Sequence, residues 1–171
     1  MFFPLRGEKI LTTPKKKGII NKHIMVIDVR KLKYSGKTEC SFHFDYEAGD
    51  SMITLPNAKF DGPVSITGTL TLGGNEVTVE GEIGYTIAGQ CSRCLDSVIF
   101  HNVVGFDEVF SESKEDEDAY KFAKGLVDLT EMVNDKILTS MPYTIYCKDD
   151  CKGLCPTCGA NLNHTDCDCS K

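Results

Sequence analysis

Residues 64–87 read VSITGTLTLGGNEVTVEGEIGYTI, and their pattern is the clearest structural signal in the chain. Apolar side chains recur at two-residue spacing before Gly73 and again after Asn75, with serine, threonine and glutamate between them. Such alternation is typical of strands that bury one face. The intervening Gly73, Gly74 and Asn75 tolerate the positive φ that a tight turn demands. The sequence therefore predicts a β-hairpin here.

The alternation continues on both sides of this hairpin. Residues 97–110 carry apolar side chains in one phase and residues 38–46 do the same, at Val98, Phe100, Val104, Phe106 and Phe110 and at Phe42, Phe44 and Tyr46. The hairpin and the strand after it form an antiparallel meander, with Cys91–Cys94 as its second connection. We therefore predict an α+β fold that is mainly antiparallel β.

A helix is predicted after the sheet, at about residues 129–140. Its apolar residues recur at the three- and four-residue spacing of an amphipathic helix with one buried stripe. Asp128 and Glu131 have the form of a capping box, and Pro142 ends the segment. Between sheet and helix, residues 112–118 are acidic and are predicted to be an exposed loop.

Composition and charge limit the possible classes of protein. The 171 residues are 41% hydrophobic and 26% charged, which fits one compact domain with a small appendage. No apolar run reaches the roughly 18 residues of a membrane helix, and no signal-peptide pattern is evident. We expect a cytoplasmic protein. Its nine cysteines indicate metal binding, since cytosolic thiols stay reduced.

Three regions are predicted along the chain. Residues 1–24 have a local net charge of +5 and are expected to be a disordered basic extension, with Met25 as a possible native start. Residues 25–146 form the antiparallel β domain, and residues 147–171 form a cysteine-rich tail packed on it. Residues 25–171 carry 13 basic and 24 acidic side chains, a net charge of −11. The tail has few large apolar side chains, so it needs metal for cohesion.

Eight of the cysteines form candidate zinc sites. Cys155 and Cys158 have the spacing of a zinc knuckle, and Cys91 and Cys94 repeat it at the second connection of the meander. Tetrahedral zinc takes four ligands, so eight thiolates suit two closed structural sites. The preferred partition groups Cys91, Cys94, Cys147 and Cys151 on one ion and Cys155, Cys158, Cys167 and Cys169 on the other.

Other interpretations of the cysteines stay open. The two C-x-x-C pairs could share one zinc ion, or Cys91 and Cys94 could form a redox pair in which Arg93 lowers a thiol pKa. Cys40 is expected to be an ordinary strand residue, and His164 could replace a thiolate. No phosphate-binding glycine motif, nucleophile–base pair or metalloprotease motif is present, so no enzyme is predicted and no catalytic residue is assigned.

The cysteine motifs carry a family resemblance. The turn Cys91-Ser-Arg-Cys94-Leu95, the helix leading to Met141-Pro142, and the tail from Cys151 through Cys155-Pro-Thr-Cys158-Gly-Ala-Asn161-Leu-Asn163 to Cys167-Asp-Cys169 resemble the YceD family. The resemblance covers roughly residues 25–169. It implies a role in synthesis, processing or stability of large-subunit ribosomal RNA, without an established catalytic activity.

The charge suggests how such a role is performed. A body with a net charge of −11 repels a polyanion, so tight RNA binding by it is disfavoured. We expect an acidic adaptor for a basic ribosomal protein or assembly factor, which it contacts through residues such as Glu112, Glu115, Asp116, Glu117 and Asp118. The alternatives are a zinc-knuckle module that binds large-subunit RNA directly, with the basic extension contacting phosphates, and a thiol redox protein.

Overall fold

The structure is a computed structural model that describes residues 25–113 and 115–169. The predicted basic extension, residues 1–24, lies outside the described residues. In chain order the elements are β1 (Val26–Asp28), α1 (Val29–Tyr34), β2 (Glu39–Tyr46), a 3₁₀ turn (Asp50–Met52), β3 (Lys59–Phe60), β4 (Val64–Gly73), β5 (Glu76–Gln90), β6 (Ser97–Ser111), β7 (Tyr120–Lys121), β8 (Leu126–Asp128) and α2 (Thr130–Ser140).

The predicted antiparallel meander is confirmed. Strands are ordered β2-β4-β5-β6-β7 in the main sheet, β3 pairs with the far end of β5, and only the short β6–β7 pairing is parallel. Gly73 pairs with Glu76, so a two-residue turn closes the first hairpin, with φ of 65° at Gly74. The predicted fold class, α+β and mainly antiparallel β, is therefore also confirmed.

A row of four paired residues crosses the core face of the sheet. Phe42 pairs with Gly68, Gly68 with Gly81, and Gly81 with Phe106. A Cβ atom at Gly81 would lie 2.2 Å from the Thr67 carbonyl oxygen and 2.8 Å from the Phe106 ring. The two phenylalanine rings therefore lie over glycines, where the strands approach one another too closely for any larger residue.

Helix α2 packs on the core face of the sheet. Its Met132, Val133 and Ile137 are buried, while Leu138 is exposed. Beside it lies a second, two-stranded sheet in which β1 pairs with β8, and Met25 and Val29 are buried there. Within the described residues, the main sheet is thus covered on one face only.

The start of α2 differs from the predicted capping box. The helix begins at Thr130, and Leu129 occupies the N-cap position without a side-chain cap. Asp128 instead accepts hydrogen bonds from the backbone N–H and the hydroxyl of Thr130, so its carboxylate closes a turn before the helix. Asp128 is also held in β8, and this pairing places it one residue too early to cap the helix.

The described residues contain no helix that is long and apolar enough to cross a membrane.

Candidate metal centres

The first C-x-x-C pair lies where β5 turns into β6. The Cys91 N–H donates to the Asp96 carbonyl, and the Leu95 N–H donates to the Cys91 carbonyl. Leu95 has a φ of 63°, a left-handed conformation that a branched side chain rarely adopts. Both cysteines of the pair are buried.

The second C-x-x-C pair repeats this local geometry in the tail. The Cys155 N–H donates to the Ala160 carbonyl, and the Gly159 N–H donates to the Cys155 carbonyl. Gly159 has a φ of 74° and occupies the position equivalent to Leu95. Both turns therefore have the same hydrogen-bonding pattern, as expected of a pair of knuckles.

The segment after α2 brings the tail to the hairpin tip. The Ser92 N–H donates to the Ile145 carbonyl at 2.8 Å, and the Ile145 N–H donates to the Ser92 hydroxyl at 3.2 Å. Ile145 is buried beneath Gly89, where a Cβ atom would come within 2.9 Å of it. This anchor places Cys147, two residues further on, beside Cys94.

Arg93 holds the tail in place through its side chain. Its guanidinium lies 4.6 Å from the Tyr146 ring centre and within 3.5 Å of the carbonyl oxygens of Asp149 and Cys151. Its backbone N–H, and not its charge, contacts the Cys91 sulfur. The redox interpretation, in which the Arg93 charge activates a thiol, has no such contact to support it.

The eight sulfur atoms gather into two groups of four. Within each group all sulfurs lie within 4.8 Å of one another, and the groups are Cys91, Cys94, Cys147 and Cys151 (the hairpin cluster) and Cys155, Cys158, Cys167 and Cys169 (the tail cluster). The structure thus brings together the cysteines of the preferred partition and separates the two C-x-x-C pairs. Each group can hold a metal ion.

The sulfur–sulfur distances are close to those around a tetrahedrally coordinated metal ion in the hairpin cluster and are shorter in the tail cluster. The Cys91–Cys151 and Cys94–Cys147 pairs are 3.8 and 3.5 Å apart, and Cys167 lies 3.4 and 3.3 Å from Cys158 and Cys155. Four thiolates at a zinc–sulfur distance of about 2.3 Å would be about 3.8 Å apart, whereas a disulfide requires about 2.0 Å. The donor set and its spacing therefore suit a metal ion held by four thiolates, and they exclude disulfides between these pairs.

The first cysteine of each knuckle is biased toward the thiolate. Burial raises the pKa of Cys91, but backbone N–H groups of Arg93 and Cys94 donate to its sulfur, and the net effect lowers that pKa to about 6. Backbone N–H groups of Cys158 and Thr157 likewise lower the pKa of Cys155 to about 6. Thiolate is the form that binds metal, so these turns favour ligation.

The two clusters differ in exposure. In the hairpin cluster Cys91, Cys94 and Cys151 are buried and only Cys147 is exposed, whereas in the tail cluster only Cys155 is buried. Cys40 belongs to neither cluster and packs, half-buried, against the core from β2. His164 belongs to neither group of four, and its Nε2 lies 3.0 Å from the Asp96 carboxylate.

Three polar residues contact the cysteines of the hairpin cluster, and the spacing of residues in the sequence does not predict these contacts. The Asp96 carboxylate lies 3.3 Å from the Cys94 sulfur, Asn161 donates to the Cys94 carbonyl, and Asn163 donates to the Cys151 sulfur. Asn161 and Asn163 were apparent only as part of the family resemblance. Their partners lie far away in sequence, so spacing alone could not reveal these roles.

The predicted partner-binding residues lie in the loop after β6. Glu112, Glu115, Glu117 and Asp118 are exposed, and Asp116 is half-buried. Two of them, Glu117 and Asp118, line an open groove of about 400 Å³ that also includes Glu108, Glu131, Tyr120 and one basic residue, Lys121. The structure therefore places part of the acidic loop next to carboxylates from β6 and α2.

The uncovered face of the main sheet is also acidic. Alternate residues of β2, β4, β5 and β6 point away from the core, and in these four strands that face includes no lysine or arginine. Its carboxylates belong to Glu39, Asp45, Glu76, Glu80, Glu82 and Asp107. Exposed Ile99 and Val103 on β6 add apolar area to it.

Comparison with known proteins identifies relatives of the cysteine-containing half. A family described as "Large ribosomal RNA subunit accumulation protein YceD" matches residues 79–171, which include both clusters. No solved structure matches the chain.

Three curated relatives illustrate the similarity. An uncharacterized protein of Mycobacterium tuberculosis (strain H37Rv) is 30% identical over 93 residues, 50% of this chain and 45% of its own. The uncharacterized protein YlbN of Bacillus subtilis is 27% identical over 127 residues, 68% of this chain and 72% of its own. An Arabidopsis thaliana protein, "Large ribosomal RNA subunit accumulation protein YCED homolog 1, chloroplastic", is 38% identical over 45 residues, 26% of this chain and 14% of its own. The match thus spans less than half the length of the mycobacterial relative.

Proposed function

Because this chain belongs to the YceD family of large ribosomal RNA subunit accumulation proteins, we propose that it is a non-enzymatic zinc-binding factor that supports accumulation of that RNA. The observation that carries the proposal is the gathering of eight cysteine sulfurs into two groups of four, each with its sulfurs within 4.8 Å of one another. Four thiolates around one zinc ion leave no open position for water, so each ion is structural.

One of the two zinc ions attaches the tail to the sheet, and the other stabilises the tail itself. The hairpin cluster combines Cys91 and Cys94 from the sheet with Cys147 and Cys151 from the tail, so one ion bonds the two regions. The tail cluster closes the tail upon itself. The zinc-loaded protein is then a rigid body whose acidic surfaces keep a fixed arrangement.

The acidic surfaces select a basic partner. The uncovered sheet face and the groove beside Tyr120 both present carboxylates, and a net charge of −11 over residues 25–171 disfavours contact with RNA phosphates. A basic large-subunit ribosomal protein, or a basic assembly factor, has the complementary charge. The protein acts as an adaptor that holds this partner and contacts the RNA indirectly.

Native mass spectrometry of the full chain tests the zinc proposal. We expect two zinc ions per chain, with both lost on chelation. Cys91→Ser together with Cys94→Ser is expected to remove one ion, and Cys40→Ser, which changes a cysteine outside both clusters, is expected to remove none. Retention of two ions in the first variant would contradict the assignment of ligands.

Affinity capture tests the adaptor proposal. We expect the chain to capture basic large-subunit proteins, and we expect capture to be reduced by Glu80→Lys with Glu82→Lys on the sheet face or by Glu115→Lys, Glu117→Lys and Asp118→Lys in the loop. The matched control keeps the loop charges with Glu115→Asp, Glu117→Asp and Asp118→Glu. Unchanged capture by both reversed variants would contradict the adaptor, and salt-dependent binding of the isolated protein to large-subunit RNA would favour direct RNA recognition.

A further inference from the structure

Asn161 connects the tail to the turn that carries the hairpin cluster. Its side-chain amide group donates to the Asp96 carboxylate at 3.0 Å and to the Cys94 carbonyl at 3.3 Å. Its own amide oxygen accepts from the backbone N–H and the side-chain amide of Asn163, each at 3.0 Å. All the polar atoms of this amide are therefore used.

Asn163 continues the connection to a metal-binding sulfur. Its side-chain amide lies 3.4 Å from the Cys151 sulfur, and its amide oxygen accepts from the Lys152 N–H at 3.0 Å. An amide that donates to a thiolate stabilises the negative sulfur without adding charge to a cluster that already has four thiolates. The bond from Asn163 thus favours the ligating form of Cys151.

Both asparagines belong to the small hairpin that carries the second knuckle. Leu154 forms a bridge with Asn161, the Leu162 N–H donates to the Gly153 carbonyl, and the Cys155 N–H donates to the Ala160 carbonyl. Between these paired segments lies the turn with Cys155 and Cys158. The tail hairpin therefore holds two tail-cluster sulfurs at its turn and the two asparagines along its returning arm.

We propose that Asn161 and Asn163 couple the two clusters, so that a metal ion in the tail cluster strengthens metal binding by the hairpin cluster. This inference rests on the proposed function, because it assumes that both clusters bind zinc. An ion bound by Cys155 and Cys158 fixes the tail hairpin, and the fixed hairpin holds the asparagine amides against Asp96 and Cys151. Coupling between two sites is reciprocal, so the hairpin cluster strengthens the tail cluster by the same factor.

Outer-shell hydrogen bonds of this kind have measurable effects on affinity. Loss of a group that orients a metal ligand typically weakens binding by roughly 10- to 100-fold. Two asparagines act here on one cluster, through the Cys94 turn and the Cys151 sulfur. We therefore expect a coupling factor of about 10 or more.

The test is a double-mutant cycle on the full chain, with Co²⁺ as the probe because its absorption reports thiolate coordination. One arm empties the tail cluster with Cys158→Ser and Cys169→Ser, and the other removes the amides with Asn161→Ala and Asn163→Ala. Emptying the tail cluster is expected to weaken Co²⁺ binding by the hairpin cluster about 10-fold or more. In the asparagine variant the same change is expected to have little further effect.

Two controls accompany the cycle. Thr157→Ala changes an exposed residue in the second knuckle but keeps its backbone N–H, so the hairpin cluster is expected to bind as before. Far-ultraviolet circular dichroism checks that the sheet is intact. Where the double variant Asn161→Ala, Asn163→Ala misfolds, Asn163→Ala alone replaces it, and a smaller weakening of Co²⁺ binding by the hairpin cluster is expected.

The outcomes separate this inference from the function on which it rests. The chain could bind two Co²⁺ ions while the affinity of the hairpin cluster stays the same whether or not the tail cluster is intact. That result would overturn the coupling and leave the zinc scaffold in place. A coupling that persists in full without the asparagine amides would also overturn it. A chain that binds no ion at either cluster would overturn the scaffold and the coupling together.

Discussion

Gly81 lies where the neighbouring strands leave no room for a side chain. Gly81→Ala is expected to lower the free energy of unfolding by roughly 1–3 kcal/mol, because the new Cβ would meet the Thr67 carbonyl at 2.2 Å and the Phe106 ring at 2.8 Å. Gly84→Ala on the same strand is the matched control, since nothing lies within 4 Å of its Cβ position. Denaturant unfolding measures both. Equal stabilities of the two variants would contradict the close approach.

Leu95 is expected to be a strained residue. Its left-handed φ of 63° is one that Gly159 adopts freely in the other knuckle, and its side chain is 56% exposed. Leu95→Gly is therefore expected to raise the unfolding free energy of the metal-loaded protein by about 1 kcal/mol. Leu95→Ala removes the side chain but keeps the Cβ, so it should give no such gain; the two variants would be compared by denaturant titration.

At the residue level, the sequence predicts the candidate metal-ligating cysteines better than the polar residues that form hydrogen bonds around them. Cysteine is rare, and its spacing reports ligand pairs directly, so the eight cysteines were identified from the sequence. Their ligation of zinc stays a prediction. Asp96, Asn161 and Asn163 could not be found in this way, because each acts on a cysteine brought near only by the tertiary fold.

Helix α2 is stabilised by its buried stripe more than by its ends. Ile137 is fully buried and lies next to Leu138, which is 47% exposed. Ile137→Ala is expected to cost roughly 2–5 kcal/mol of unfolding free energy, and Leu138→Ala less than about 0.5 kcal/mol. Thermal unfolding of the two variants provides the comparison, and similar losses would mean that the packing of α2 differs from that described.

Element length explains which parts of the fold the sequence predicts. Strands β4, β5 and β6 are 10–15 residues long, so a two-residue period is visible in each. Strands β1, β3, β7 and β8 have only two or three residues, too few to show a period, and were not predicted. The six residues of α1 likewise complete less than two turns. The pairing of β1 with β8 depends on contacts across the chain, which no local pattern contains.

At the scale of the whole molecule, metal removal is expected to separate tail from sheet. The main sheet and α2 share a continuous apolar core, whereas the described tail residues contribute chiefly cysteines to buried clusters. Chelation should therefore increase the hydrogen-exchange rates of the backbone amides of residues 147–169 many-fold, while the amides of β4 and β5 stay protected. Hydrogen exchange with mass spectrometry, with and without chelator, measures this. Equal protection of the tail in both conditions would contradict the proposed role of zinc.

The separation in sequence between the ligands of the hairpin cluster imposes an order on synthesis. Cys91 and Cys151 are 60 residues apart in sequence, with β6 and α2 between them. During translation the meander can pair as soon as β6 leaves the exit tunnel, but the fourth thiolate, that of Cys151, emerges only after α2. Four-thiolate binding of a metal ion by the hairpin cluster is consequently expected to follow pairing of the meander, and a nascent chain truncated before Cys151 keeps three thiols without their final partner.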